Sequence, residues 1–114
     1  MTLGQKQRAF TAHIGKLILW AYENGYELTF ADAYRDPRLA ALNAADGKGI
    51  ANSLHGKRLA VDFNLFKDGQ YLTDSEAHRP LGEFWKSLHP DCCWGGDFKS
   101  RDGNHYSMQY QGIK

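Results

Sequence analysis

At 114 residues, 42% of them hydrophobic and 13% aromatic, the chain has the size and composition of one compact domain, residues 1–114, built on one core. Its 14 Lys and Arg stand against 13 Asp and Glu, a formal net charge of +1, which excludes the large single-sign field that nucleic acid or an anionic membrane would require. The two cysteines, Cys92 and Cys93, are adjacent, so they neither staple a secreted fold nor match a zinc ribbon, and they are expected as reduced thiols.

Phe10, Ile14, Leu17, Ile18 and Ala21 recur on one helical face, which predicts an amphipathic helix from about Gly4 to Glu23. Within it the apolar run Leu17 to Tyr22 is too short for a membrane span and lacks the setting of a signal peptide, so the expectation is a cytoplasmic chain without a membrane anchor. Asn24-Gly25 ends the helix, and Tyr26 to Phe30 alternates as a half-buried strand does. A second, shorter helix is predicted from Arg38 to Ala45, followed by a polar loop to about Ser53. Leu59, Val61 and Phe63 fall on one side of a predicted strand and Ala60, Asp62 and Asn64 on the other, with Lys67 to Gln70 as a turn. Between Thr73 and His89 a helix is expected to open near Pro80, with Leu81, Phe84, Trp85 and Leu88 as its apolar stripe and Pro90 beyond its end. The last two strands are expected over Trp94 to Phe98 and His105 to Tyr110, joined by a polar loop. Together these elements predict an α+β domain with a small antiparallel sheet flanked by helices.

Three polar side chains stand out from this pattern: His55 ahead of a strand, Asp62 within it, and His105 at the start of another. Two neutral imidazoles and a carboxylate form a three-ligand set for Zn²⁺, with a fourth tetrahedral position left for water, as in catalytic zinc sites. Taken singly, each residue has a plainer explanation, a hydrogen-bonded histidine or a turn-forming aspartate.

The stretch Ser53-Leu-His55-Gly-Lys-Arg-Leu-Ala60-Val-Asp62-Phe resembles the Ser-x-His-(six residues)-Asp signature of the zinc D-alanyl-D-alanine carboxypeptidases and L-alanyl-D-glutamate endopeptidases, and Asp102-Gly-Asn-His105 resembles their acid-x-x-His element. With Tyr34-Arg35 and Trp94-Gly-Gly-Asp97, the resemblance runs from about residue 29 to 107 and looks closest to short single-domain phage endolysins. It implies a hedgehog/DD-peptidase-like fold, a zinc cofactor held by His55, Asp62 and His105, and the peptide stems of peptidoglycan as substrate, cut by a monomer. The chain departs from the family where Arg58 replaces a common glycine, and where Ser107 stands in place of Glu or Gln.

Amide hydrolysis needs a group to take the attacking water's proton and return it to the leaving nitrogen, and Asp102, across a Gly-Asn turn from His105, matches the family's general base. Its plainer role is to cap its own turn. Arg35 matches an arginine that serves substrate charge or the developing oxyanion, the alternative being an ion pair with Asp32 or Asp36. Ser53 is a candidate substrate contact, Asp97 a candidate partner for a metal-binding imidazole, and Trp94 a core aromatic close enough in sequence to line a groove. His13, His78 and His89 are expected as surface or capping groups.

Two rival readings remain: a thiol enzyme using Cys92 or Cys93 with His89 or His105 as base, and a non-catalytic zinc-containing wall-binding module. Residue pattern does not separate cleavage between L-Ala and D-Glu from removal of a terminal D-Ala, though the likeness to short endolysins favours the endopeptidase. Such a protein would be made in the host bacterial cytoplasm and would reach the wall through a holin-type membrane lesion.

Overall fold

The computed structural model describes residues 1–36, 38, 42 and 53–114. Helix α1 (Leu3–Glu23) opens on a capping box in which Thr2 Oγ1 accepts from the Gln5 N–H while Gln5 Oε1 accepts from the Thr2 N–H. Phe10, Ile14, Leu17 and Ala21 are its buried residues, at alternating spacings of four and three, so one stripe faces the core. Gly25, at φ 84°, turns the chain into β1 (Tyr26–Phe30). Apart from Arg38 and Leu42, the predicted helix from Arg38 to Ala45 lies outside the described residues.

The sheet contains β1, β2 (Ala60–Lys67), β3 (Gln70–Leu72), β4 (Cys92–Trp94) and β5 (His105–Met108), all paired antiparallel. Its path is β1-β2-β5-β4, with β3 also paired to β2. Along β2, Val61, Phe63 and Leu65 are buried while Asp62, Asn64 and Phe66 on the opposite face are half-buried. Helix α2 (Arg79–Leu88) and α1 supply the rest of the core, where Trp85 stands edge-on to both Phe10 and Tyr106 and its Nε1 donates to the carbonyls of Cys93 and Ser107. The α+β class with a small antiparallel sheet is the one expected. No helix among the described residues is long and apolar enough to cross a membrane.

Three local details differ from the sequence-based expectation. The turn after β2 has two successive positive-φ residues, Asp68 and Gly69, which suit a tight hairpin, so β3 follows directly. The helix expected to open near Pro80 does so, as α2 from Arg79, but it is preceded by a 3₁₀ turn at Ser75–His78 that was not expected. The strand expected over Trp94–Phe98 stops at Trp94 and gives way to a 3₁₀ turn, Gly95–Asp97. Here close packing overrides strand propensity: a Cβ on Gly96 would lie 2.2 Å from the Trp94 ring, and one on Gly95 only 2.1 Å from the Asp102 carbonyl oxygen.

Candidate metal centre

Asp62 and His105 are direct partners in the β2–β5 ladder, so their side chains leave the same face of the sheet side by side. His55 arrives from the 3₁₀ turn Leu54–Lys57, which Ser53 caps by accepting the His55 N–H on its hydroxyl. The turn ends on Arg58 at φ 56°, a left-handed position that favours glycine; the arginine occupies it with its guanidinium 4.0 Å from the Tyr34 ring.

Three side chains then converge. His55 Nε2 lies 3.4 Å and His105 Nδ1 3.2 Å from the same oxygen, Oδ1 of Asp62. One candidate ligand atom from each residue falls within 4.8 Å of the others, and among the described residues this is the one group of three or more such side chains that could hold a metal ion. The donor set suits zinc: two imidazoles, one carboxylate and an open side. His55 Nδ1 lies 2.8 Å from the Ala33 carbonyl, which makes Nδ1 the protonated nitrogen and leaves the lone pair on Nε2 facing the centre. His105 Nε2 is buried with no partner among the described residues. Asp97 does not fill that role, because its carboxylate is 2.7 Å from Lys86 Nζ.

The electrostatics follow from this packing. Burial opposes the charge on Asp62, but hydrogen bonds from His105 and His55 outweigh it and bring its pKa down to about 2. On His55, burial works against protonation and is overcome by Asp62 and the Ala33 carbonyl, so its pKa rises. Asp102 moves the other way: burial, then the nearby charge of Asp62, raises its pKa from the ordinary aspartate value.

A cavity of about 380 Å³ opens over the three residues, and its lining includes Arg35, Ser53 and Asp102. Arg35 also makes the ion pair that was its alternative role, with Asp32 at 2.7 Å. The lining has members that sequence reasoning missed: Phe98 and Ser100 from the loop after β4, and Ile113 and Lys114, which come back to the site through a turn with positive φ at both Gln111 and Gly112. A tight-turn signal exists only at Gly112.

The turn carrying Asp102 is fixed from two sides. Gly95 O accepts from the Asp102 N–H at 2.9 Å, and the Asp102 carbonyl in turn accepts from the His105 N–H at 3.1 Å. Trp94 Nε1 donates to the Gly103 carbonyl at 2.7 Å, so this fully buried tryptophan supports the loop and does not line the groove.

The other histidines and the cysteines lie elsewhere. His78 is not a surface group: it is 3% exposed, with Nδ1 2.7 Å from the Tyr106 hydroxyl. His13 and His89 face each other with ring centroids 5.8 Å apart, and His89 Nδ1 accepts from the Asp91 N–H just past α2. Burial pushes the Cys92 thiol up to about 12 and raises that of Cys93 as well, and neither lines the metal cavity, which leaves the thiol-enzyme reading without a nucleophile.

Comparison with known proteins agrees with this arrangement. In fold, the chain is similar to the L-Ala D-Glu endopeptidase ChiX of Serratia marcescens, with a TM-score of 0.69 and 15% identity over 95% of this chain and 86% of that one. It is also similar to a mutant of the vancomycin resistance D,D-pentapeptidase VanY from a VanB-type cassette, in complex with Zn(II), with a TM-score of 0.58 and 21% identity over 88% and 70% of the two chains. No curated protein sequence matches the chain. A family model described as D-alanyl-D-alanine carboxypeptidase matches residues 46–108, a span that contains all three converging residues and Asp102. Since that match takes in more than half of the sequence, the chain belongs to the D-alanyl-D-alanine carboxypeptidase family and is a hydrolase.

Proposed function

We propose that His55, Asp62 and His105 hold one zinc ion and that the protein hydrolyses peptidoglycan stem peptides between L-Ala and D-Glu. The observation that carries this is the convergence of two imidazoles on one Asp62 oxygen, in a cavity that also presents Asp102 and Arg35. A zinc ion held by these three side chains would supply Lewis acidity and a water of lowered pKa, near 7 in place of about 16. Asp102 is placed to accept a proton from the water that attacks the scissile carbonyl and to return it to the leaving nitrogen as the C–N bond breaks. Its raised pKa suits both halves of the transfer better than that of an ordinary surface aspartate. Arg35 donates its fork of N–H groups to a substrate carboxylate or to the developing oxyanion, and its exposed partner Asp32 is a weak competitor for it. Ser53 fixes the His55 turn through its hydroxyl and lies at the cavity edge, within reach of substrate.

The endopeptidase assignment is supported by the resemblance to phage endolysins and by the likeness in fold to an L-Ala D-Glu endopeptidase. As an endolysin, the protein would act as a monomer after a holin-type lesion lets it pass from the host cytoplasm to the wall. Removal of a terminal D-Ala is the second reading, favoured by the description of the matching family. A non-catalytic wall-binding module would have no use for Asp102 in the cavity.

Digestion of purified peptidoglycan followed by mass spectrometry tests the proposal. The expected products are stems cut between L-Ala and D-Glu, with cleavage abolished by a chelator and restored by zinc. Loss of a terminal D-Ala alone would establish the carboxypeptidase, and binding of intact peptidoglycan without cleavage would establish the module.

A further inference from the structure

A second polar cavity lies beside the metal centre, at a gap in the sheet. On one edge of β2, β5 pairs with Ala60 to Asp62 and β3 pairs with Leu65 to Lys67. The Phe63 N–H donates to the Asn104 carbonyl, and among the described residues no strand lies beside Asn64 on that edge. The resulting cavity, about 310 Å³, is lined by Asn64, Tyr71, Thr73, Ser75, His78 and Arg101 among others. Asp102 borders both this cavity and the one over the metal centre, so the two are neighbours across the base.

Apart from the Asp102 carboxylate at its border, its chemistry is that of neutral hydrogen bonding. Arg101 is committed to Glu76, and the Ser75 hydroxyl accepts from the Gly103 N–H. The groups left over are the Thr73 hydroxyl and His78 Nε2, neither with a partner among the described residues, and the second amide proton of Asn64. His78 is buried and neutral at physiological pH, since burial lowers its pKa to about 4. Tyr71, 56% exposed, adds an aromatic face at the rim. A substrate carboxylate would find no free cation here and would face the Asp102 carboxylate at the border, whereas hydroxyl and acetamido groups on a ring with an apolar face can donate to that carboxylate and match the neutral groups as well.

We infer that this cavity is a subsite for the N-acetylated, lactyl-bearing sugar from which the peptide stem hangs. The inference rests on the proposed cleavage next to L-Ala: that residue is amide-linked to the sugar's lactyl group, so the sugar follows the scissile bond within about two residue lengths, or ~7 Å. A cavity sharing Asp102 with the metal centre is placed to receive it.

The test compares two soluble substrates with the zinc-loaded protein, N-acetylmuramyl-L-Ala-D-Glu-Lys and the same peptide with a plain N-acetyl group. The wild type is expected to favour the sugar-bearing substrate in kcat/KM by about tenfold or more, the discrimination that a few well-placed polar contacts supply. In Thr73→Val combined with Tyr71→Ala, with zinc content and unfolding midpoint checked against the wild type, that ratio should fall toward one. Equal kcat/KM for the two substrates in the wild type would overturn the subsite, as would an equal loss on both in the variant. Should neither peptide be cut, the proposed reaction fails, and the subsite is decided by NMR titration with N-acetylmuramyl-L-alanine. Shifts clustered at Asn64, Tyr71 and Thr73 would uphold it, and their absence would remove it.

Discussion

Asp62 and His105 face each other across the β2–β5 ladder, with Asp62 Oδ1 3.2 Å from His105 Nδ1. The metal centre is therefore set by strand register: a slip of one residue would turn one of the two away from the other. The Phe63 N–H to Asn104 carbonyl bond and the buried stripe of Val61, Phe63 and Leu65 both hold that register.

Asp102→Asn separates a peptidase from a binding module. The substitution keeps size and shape but removes the proton acceptor, so hydrolysis of stem peptides should fall by roughly 10² to 10⁴-fold while zinc content and thermal midpoint stay unchanged. The acid limb of the rate profile, which reports the carboxylate, should vanish with it. Wild-type turnover in this variant would take Asp102 out of the mechanism, and loss of zinc would recast it as a ligand.

Arg35→Ala distinguishes a substrate-binding role from the Asp32 ion pair. That pair is exposed on the Asp32 side and contributes at most about 1 kcal/mol, so folding should survive with zinc bound. Steady-state kinetics should show kcat/KM reduced by about tenfold or more, as expected when a bidentate donor to substrate is lost. An unfolded variant, or unchanged kinetics, would favour the ion pair as the residue's main task.

Gly95→Ala tests the support beneath the base. The added methyl would lie 2.1 Å from the Asp102 carbonyl oxygen and 2.8 Å from His105 Cβ, and Gly95 O also receives the Asp102 N–H. Relief requires the turn to move, at a cost of about 1–3 kcal/mol in stability and a marked fall in kcat. Urea unfolding and peptidoglycan hydrolysis, measured together, check both parts. A variant with native stability and activity would show that the turn is free to shift.

His78 makes stability depend on pH. Burial brings its folded pKa down to about 4 from the ordinary 6.5, so between these values the unfolded chain binds a proton that the native state does not. The contribution is complete above about pH 6.5 and is lost as the pH falls toward 4, a change of about 3 kcal/mol at most. Urea titrations of the metal-free protein at pH 7 and pH 4 should therefore show a larger drop in the wild type than in His78→Gln. Parallel drops would mean that His78 titrates normally.

The sequence was most legible where chemistry and spacing coincide. His55 and Asp62, seven positions apart, and His105 with an acid three positions before it, stand out as polar groups within or beside predicted strands, and the structure brings these four to one cavity. The α1 stripe and the alternation along β2 were equally plain, because each is a local period. What failed to show depends on contacts distant in sequence. His78 reads as a surface residue until Tyr106, 28 positions away, is packed against it. The glycines at 95 and 96 read as part of a strand, yet their need for no Cβ comes from the Asp102 turn and the Trp94 ring. Ile113 and Lys114 reach the cavity through a turn whose first left-handed residue is Gln111, a residue type that carries no such signal.

Zinc stoichiometry across four proteins tests the central claim most directly. Elemental analysis of the wild type should find one tightly held Zn²⁺ per chain, and His55→Ala, Asp62→Ala and His105→Ala, each shown by circular dichroism to be folded, should each lose it. Full zinc occupancy in any two of those folded variants would contradict the ligand set and the mechanism built on it.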